Sequence, residues 1–272
     1  MIKLDLHVHT TYSDASETIY QVLEKAKKKR LKYIAITDHD TCINLENKEE
    51  LEFYYGIKIV TGIELTTNYK RVHILGLGLK KDKLKVVEKV AKNYQRLQIE
   101  AVALKANKLI EDGVNLTMSE IYSFAKNGWL TQNSIARAMI SKNMVSSYEE
   151  ADAKYFYKGS PYKAPVIAIS IEEAIDLIKF ANGVPVLAHP WFSRFSRELD
   201  EMEKEIQRIV SLGIEGIETY YGKNTKEQDK YIAMLAEKYN LFKTAGSDYH
   251  AQPKRDKLGM YLNDTEILKY IY

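Results

Sequence analysis

The chain's 272 residues, 45% apolar and 28% charged, suffice at ~150 residues per domain for one large domain with an insertion, and they exclude disorder as the main state. Lys and Arg number 40 against 37 Asp and Glu, and a net charge of +3 is too balanced to argue by itself for a nucleic-acid or membrane surface. The single cysteine, Cys42, excludes an intramolecular disulfide and a cysteine-based metal cluster; with no signal-peptide layout at Met1–Asp5 and no apolar run near the ~18–20 residues of a membrane span, a cytoplasmic chain is expected.

Residues 1–81 alternate strand and helix patterns. Ile2–Leu6 reads as a strand. Ile19, Val22, Leu23 and Ala26 recur at helical spacing, and the cationic run Lys27–Arg30 suits the last turn of that helix. Tyr33–Ile36 and Ile57–Val60 read as further strands, so parallel strands with crossover helices are predicted. Residues 82–165 break the alternation. A long helix over Leu84–Asp112 is stopped by Gly113, Thr117–Glu120 is a capping box, and Ser134–Lys142 and Ser147–Phe156 read as helices. The punctuated stretch Gly159–Pro165 then closes a helical insertion. Over residues 166–272 the alternation returns. Helices are predicted from Ser170 to Phe180, over Glu201–Ser211 and over Glu227–Tyr239; strands are predicted over Val184–Ala188, Ile214–Glu218 and Phe242–Ala245.

The six histidines are His7, His9, His39, His73, His189 and His250, and five of them lie at or just beyond the end of a predicted strand. His73 instead opens the run His-Ile-Leu-Gly-Leu-Gly, and Glu64 follows the third strand. In a parallel barrel the carboxyl ends of all strands share one mouth, so groups distant in sequence converge there. His7-x-His9 puts two rings on one side of an extended segment, where one cation can take both. Histidine with carboxylate suits manganese, iron or zinc. A single histidine after a strand is ordinarily a hydrogen-bonded core or surface group; six of them, four with acids alongside, argue for a multi-metal site.

The segments Asp5-Leu-His-Val-His-Thr-Thr-Tyr-Ser-Asp14, Ile36-Thr-Asp-His-Asp-Thr41, Gly62-Ile-Glu64, His73-Ile-Leu-Gly76, Ala188-His-Pro190 and Gly246-Ser-Asp-Tyr-His250 resemble, in order and from end to end, the motifs of the polymerase and histidinol phosphatase (PHP) superfamily. The resemblance implies an α/β fold, a distorted (β/α)7 barrel of the PHP type with a helical insertion, and a metal-dependent phosphoric ester hydrolase holding up to three divalent metal ions, manganese first, iron or zinc as alternatives. Carried over by motif, His7, His9, Glu64 and Asp248 would hold one metal. Glu64 would bridge to a second, held also by His73 and His189, and Asp14, His39 and His250 would hold the third. Two metals bridged by a carboxylate at roughly 3.5–4 Å can share one hydroxide as nucleophile.

The closer likeness is to the branch of nucleoside 3′,5′-bisphosphate phosphatases and 5′–3′ exoribonucleases, carried by Ile135-Ala-Arg-Ala138, Val145–Ala151, Gly159-Ser-Pro-Tyr162 and Tyr220–Gln228. It implies a nucleotide or short 5′-phosphorylated RNA as substrate. No stable protein partner is expected. Arg137 and Arg194 are the expected phosphate contacts, since a planar guanidinium matches phosphate bidentately, with Arg197 as an alternative to Arg194. Asp38 and Asp40 would orient ligand rings, Tyr12, Tyr220 and Tyr221 are candidates to stack a base, and Cys42 reads as a small buried hydrophobe. Three departures bear on specificity. Thr131-Gln-Asn-Ser134 stands where that branch has Gly-Arg-Pro-His, Ala15 replaces a glycine, and Asn224 replaces a common histidine. Lys223 or Lys254 could supply the missing positive charge. A histidinol-phosphate or other small-molecule phosphatase is the alternative activity, and a non-enzymatic metal-binding accessory module the alternative class.

Overall fold

A computed structural model of the chain describes residues 1–42, 47–125, 128–251 and 257–272; Lys254 lies outside them. The chain divides into two compact units, Met1–Ala91 with Ile169–Tyr272, and Lys92–Ala168.

The first unit opens with β1 (Ile2–Val8), α1 (Ile19–Lys28), β2 (Tyr33–Ile36), α2 (Lys48–Tyr55), β3 (Lys58–Thr66) and β4 (His73–Leu77). Thr18 starts α1 with a full capping box, and the buried face Ile19, Val22, Leu23 and Ala26 packs it onto the outer side of the first strands with Leu51 and Tyr55 of α2. Helix α3 (Leu84–Glu111) passes from this unit into the second, which adds α4 (Met118–Tyr122), α5 (Gln132–Ser141) and α6 (Tyr148–Lys154). Thr117, Thr131 and Ser147 cap the three short helices, and a separate core forms around Val102, Ala106, Leu109, Ile121, Ile135, Met139 and Phe156. The chain returns through α7 (Ile171–Phe180), β5 (Val184–Leu187), α8 (Leu199–Ser211), β6 (Gly216–Tyr221), α9 (Lys226–Lys238), β7 (Phe242–Gly246), β8 (Met260–Leu262) and α10 (Leu268–Ile271). Helix α2, β8 and α10 gave no signal in the sequence reading. Among the described residues no helix is long and apolar enough to cross a membrane.

The eight strands form one barrel-shaped sheet in the order β7-β6-β5-β4-β3-β2-β1-β8. The expectation of parallel strands holds for β1, β2 and β3 and for β5, β6 and β7, while two further strands run the other way. Strand β4 runs antiparallel to both β3 and β5, and β8 runs antiparallel to β1. The reason for β4 is chain length. A parallel neighbour needs a crossover of a dozen or more residues, whereas Thr67–Val72 is only a tight turn, closed by the Val72 N–H on the Tyr69 carbonyl at 2.8 Å.

The barrel closes on β1, which carries a different neighbour at each end. Ile2–Leu4 pairs with β8, while the His7 carbonyl accepts the Asp248 N–H at 2.9 Å and the His9 N–H reaches the Tyr249 carbonyl at 3.0 Å. Asp5 sits at the changeover, fully buried. Its carboxylate accepts the Ser247 N–H (2.9 Å), the Ser247 hydroxyl (2.6 Å) and the Gly259 N–H (2.7 Å), so one side chain satisfies backbone that neither neighbour pairs. Burial pushes this carboxyl up to about 6 despite those bonds.

Strand phase decides which residues reach the interior. Leu4 and Leu6 belong to the inner cluster with Ala35, Val60, Leu75 and Val186, whereas Val8 belongs to the outer one. Simple alternation would send His7 and His9 outward with Asp5. A register shift between Asp5 and Val8 inserts an additional residue against β2, and the switch turns both histidines inward above the leucines.

Candidate metal centre

All nine ligand-type residues singled out in the sequence lie in the first unit and converge at one mouth of its barrel. His7 and His9 come from the end of β1, Asp14 from the loop after it, His39 from the segment after β2 and Glu64 from β3. His189 follows β5, and Asp248 and His250 follow β7. His73 stands at the start of β4 opposite Thr66, so the reversed direction of that strand delivers its first residue to the end where the others deliver their last.

Glu64 is the hub. Its Oε1 lies 2.8 Å from His73 Nδ1 and 3.0 Å from His189 Nε2; its Oε2 lies 3.2 Å from His7 Nε2, 3.2 Å from His9 Nε2 and 3.1 Å from His39 Nδ1. Asp248 Oδ1 stands 3.2 Å from His9 Nε2 and 3.4 Å from His250 Nδ1, and Asp14 Oδ1 stands 3.1 Å from His250 Nε2. Three sets of donor atoms are close enough to share an ion: His7, His9, Glu64 and Asp248; His39, Glu64 and His73; and His9, Asp14, His39 and His250. His39 thus belongs to two sets, and His189 meets the middle set through Glu64.

Several polar atoms at the centre find no hydrogen-bond partner. Glu64 Oε2 is buried among three ring nitrogens yet forms a properly directed hydrogen bond with none, and His39 Nδ1, His9 Nδ1 and His189 Nδ1 are buried without a hydrogen-bond partner. His7 Nε2 faces His9 Nε2 at 3.1 Å, an approach of two acceptor-type nitrogens that calls for a proton or a cation between them. Lone pairs aimed at common points and away from hydrogens are what divalent cations require, so the donor set fits metal.

Without metal the cluster is electrostatically frustrated. Burial disfavours charge on His9, but the Asp248 and Glu64 carboxylates hold its imidazole up at about 9. His7 is likewise held well above the ordinary imidazole range, burial being outweighed by Glu218 and Glu64. Burial takes His39 down to about 3. Against the same burial, the surrounding imidazoles keep Glu64 and Asp248 far below the usual carboxylate range. The mouth opens on one side, where Asp14, His39 and His73 are partly exposed; His7, His9 and Glu64 are sealed.

The other candidates sit as follows. Asp38 and Asp40 accept hydrogen bonds from backbone and loop, and the Asp40 charge also acts on the His73 ring. Asp38 accepts the Thr10 N–H (2.8 Å), the Thr10 hydroxyl (2.7 Å) and the Ser13 hydroxyl (2.6 Å), fixing the turn that carries Asp14. Asp40 accepts the Thr66 N–H at 2.9 Å. Tyr221 is buried and donates to Asp248 Oδ2 at 2.7 Å, Tyr220 packs on the inner apolar cluster, and Tyr12 is exposed. Lys223 donates to Asp248 Oδ2 at 2.8 Å and is partly open to solvent. Arg194 is exposed just beyond the turn Pro190–Phe192 that follows His189, and Arg197 caps the Trp191 carbonyl. Arg137 lies in the second unit, where its Nε donates to the Tyr148 hydroxyl at 2.7 Å. Cys42 is buried.

Sequence reading missed Glu218, a fully buried carboxylate on β6 that touches His7. A signal was present: Gly216-Ile-Glu218 repeats Gly62-Ile-Glu64, with an acid in an apolar strand in both places.

The PHP domain family matches residues 5–211, and the chain belongs to it. Among curated relatives, a phosphoribosyl 1,2-cyclic phosphate 1,2-diphosphodiesterase of Eggerthella lenta is 28% identical over 91% of this chain and 94% of its own. A 5′-3′ exoribonuclease of Haemophilus influenzae is 28% identical over 91% and 90%, and a 3′,5′-nucleoside bisphosphate phosphatase of Chromobacterium violaceum 26% over 92% and 88%. Among solved structures, a protein of Bifidobacterium adolescentis assigned as a metal-dependent phosphoesterase superposes with a TM-score of 0.74 at 26% identity, covering 98% of this chain and 94% of that one. The fold, the family and the donor set together make this chain a metal-dependent phosphoesterase.

Proposed function

We propose that the chain hydrolyses phosphate esters of nucleotides, with 3′,5′-bisphosphonucleotides, 5′-mononucleotides and short 5′-phosphorylated RNA as the substrate class, using up to three divalent metals of which manganese is the first choice. One observation carries the reading: nine imidazoles and carboxylates from seven separate segments meet at one barrel mouth, and at its centre Glu64 Oε2, His9 Nδ1, His39 Nδ1 and His189 Nδ1 are buried without a hydrogen-bond partner. His7, His9, Glu64 and Asp248 would hold one ion. Glu64 with His73 and His189 would hold the second, and Asp14, His39 and His250 the third. Bound divalent ions supply an acidified water and charge neutralisation at the phosphoryl oxygens.

The chain's own residues do the rest. Asp38 keeps Asp14 at the open side of the mouth, where an ester must enter. Tyr221 and Lys223 fix the second oxygen of Asp248, leaving Oδ1 turned to the cluster. The Lys223 ammonium adds positive charge beside the ligands in a chain that lacks the Arg and His expected before Ile135. Arg194 and Arg137 are proposed to bind substrate phosphate.

The relatives' named substrates share a ribose phosphate ester, so the decisive assay is a side-by-side panel. Adenosine 3′,5′-bisphosphate, a 5′-mononucleotide, a short 5′-phosphorylated RNA, a ribosyl 1,2-cyclic phosphate and histidinol phosphate are each offered with Mn²⁺, before and after chelation. Turnover of a nucleotide or RNA substrate that stops on chelation and returns with Mn²⁺ is expected. Preference for histidinol phosphate, or turnover that survives chelation, would refute the reading.

A further inference from the structure

One buried carboxylate outside the nine is built into the site at a cost the fold need not otherwise bear. Glu218 is fully buried on β6. Its Oε1 lies 3.0 Å from His7 Nδ1, and its Oε2 accepts the backbone N–H of His189 at 2.8 Å. His189 has φ 26 and ψ 62, a left-handed conformation that a β-carbon disfavours, and from it the ring reaches Glu64 with Nε2 at 3.0 Å. Gly246 of β7 makes the room: a β-carbon there would stand 2.3 Å from Glu218 Oε1 and 2.3 Å from His7 Cβ. Four segments therefore meet at one carboxylate that lies outside the three sets of candidate ion ligands.

We propose that Glu218 is a positioning residue that sets two ligands at once. Taking the Nδ1 proton of His7 in a hydrogen bond leaves the Nε2 lone pair pointing at His9, Glu64 and Asp248, the tautomer a cation needs. Holding the His189 N–H keeps that residue in its strained turn with the ring on Glu64. The proposal rests on the metal-centre reading above and says which group prepares that centre.

Glu218→Gln separates this role from bulk and packing. The amide has one oxygen and one NH₂ where the carboxylate has two acceptors. If the oxygen keeps the His189 N–H, the NH₂ must donate to His7 Nδ1, which moves the ring proton to Nε2 and turns it against the cation. If the amide is reversed, the NH₂ opposes the His189 N–H. Either arrangement damages one ligand.

The test is equilibrium dialysis of purified wild-type, E218Q and E218D protein against Mn²⁺, read by elemental analysis and by the electron paramagnetic resonance of bound Mn²⁺, with a thermal melt of each chelated protein. Outer partners of metal-bound histidine are worth roughly 10–100-fold in affinity. E218Q is expected to melt cooperatively when chelated, to bind Mn²⁺ more weakly by that factor with an altered spectrum, and to regain turnover at high Mn²⁺ with an unchanged KM for substrate; E218D, which keeps two acceptors, should recover part of the affinity. Mn²⁺ affinity and spectrum equal to wild type in E218Q overturn the proposal. So does a chelated E218Q that no longer melts cooperatively, because Glu218 would then be a scaffold residue. Wild-type protein that binds no Mn²⁺ defeats the metal-centre reading itself, an outcome distinct from equal binding by both proteins.

Discussion

At the residue scale, neighbouring carboxylates hold the His7 and His9 imidazoles above their ordinary range, whereas burial takes His39 below it. His9 holds its proton up to about 9, against an ordinary 6.5, because Asp248 and Glu64 outweigh the burial that opposes its charge. The sign of the consequence follows from linkage. Below about 6.5 both the folded and the unfolded chain carry this proton. Between 6.5 and about 9 only the folded, metal-free chain does, so its stabilising contribution fades as pH rises through that window. Metal takes neutral imidazole and competes with the same proton, so its affinity rises over the same range. The melting temperature of Mn²⁺-loaded protein should therefore exceed that of chelated protein by a margin that widens from pH 6.5 to 9. A margin that is constant or shrinks over that range would show that these imidazoles are not where metal binds.

At the scale of elements, the loop that carries Asp14 is held by one buried carboxylate together with a few backbone hydrogen bonds of its own. The turn from Thr10 to Asp14 has no strand partner for its hydroxyls, and Asp38 at the end of β2 takes three of its donors. Removing one buried acceptor strands every donor it served, at ~1–3 kcal/mol each where water cannot replace it. Asp38→Ala is expected to lower unfolding free energy by about 3 kcal/mol in urea melts and to weaken the ion site containing Asp14 most. A loss under about 1 kcal/mol would mean the turn is held by other contacts. The helices present the opposite case. Thr18, Ser170 and Thr225 close full capping boxes on α1, α7 and α9, and of these the one at Ser170 was placed from the sequence, a signal local enough to need no tertiary partner.

At the scale of the whole molecule, barrel closure depends on the split pairing of β1, and Asp5 joins its two halves. Its carboxylate accepts donors from both the exit of β7 and the approach to β8. An asparagine there would face these N–H groups with a donor of its own. Asp5→Asn should accelerate amide hydrogen exchange in β8 and at Ser247–Tyr249 while leaving exchange in Val102–Leu109 of the helical unit as it was, because that unit has its own core. Uniform acceleration across both units would show that the seam is not a local feature. Chelation should act on the barrel unit alone for the same reason, a ligand stabilising only what it binds.

Much of this was legible in the residues. Periodicity located the first strands and most helices, capping boxes placed the starts of α4 and α7, and the motif order from His7 to His250 named the family and the nine candidate ligand positions that meet at the mouth. These features are local, or are patterns of residue identity, and need no partner to be read. The sequence reading could not place His7 and His9 on the inner face, because the bulge that turns them inward exists only against β2. It did not show that β4 reverses to bring His73 to the mouth, and it passed over Glu218, whose meaning depends on a ring from β1 and a backbone N–H after β5. Chain identity determined which groups are available; strand phase, strand direction and barrel closure, all set by contacts between distant segments, decided which of them face one another.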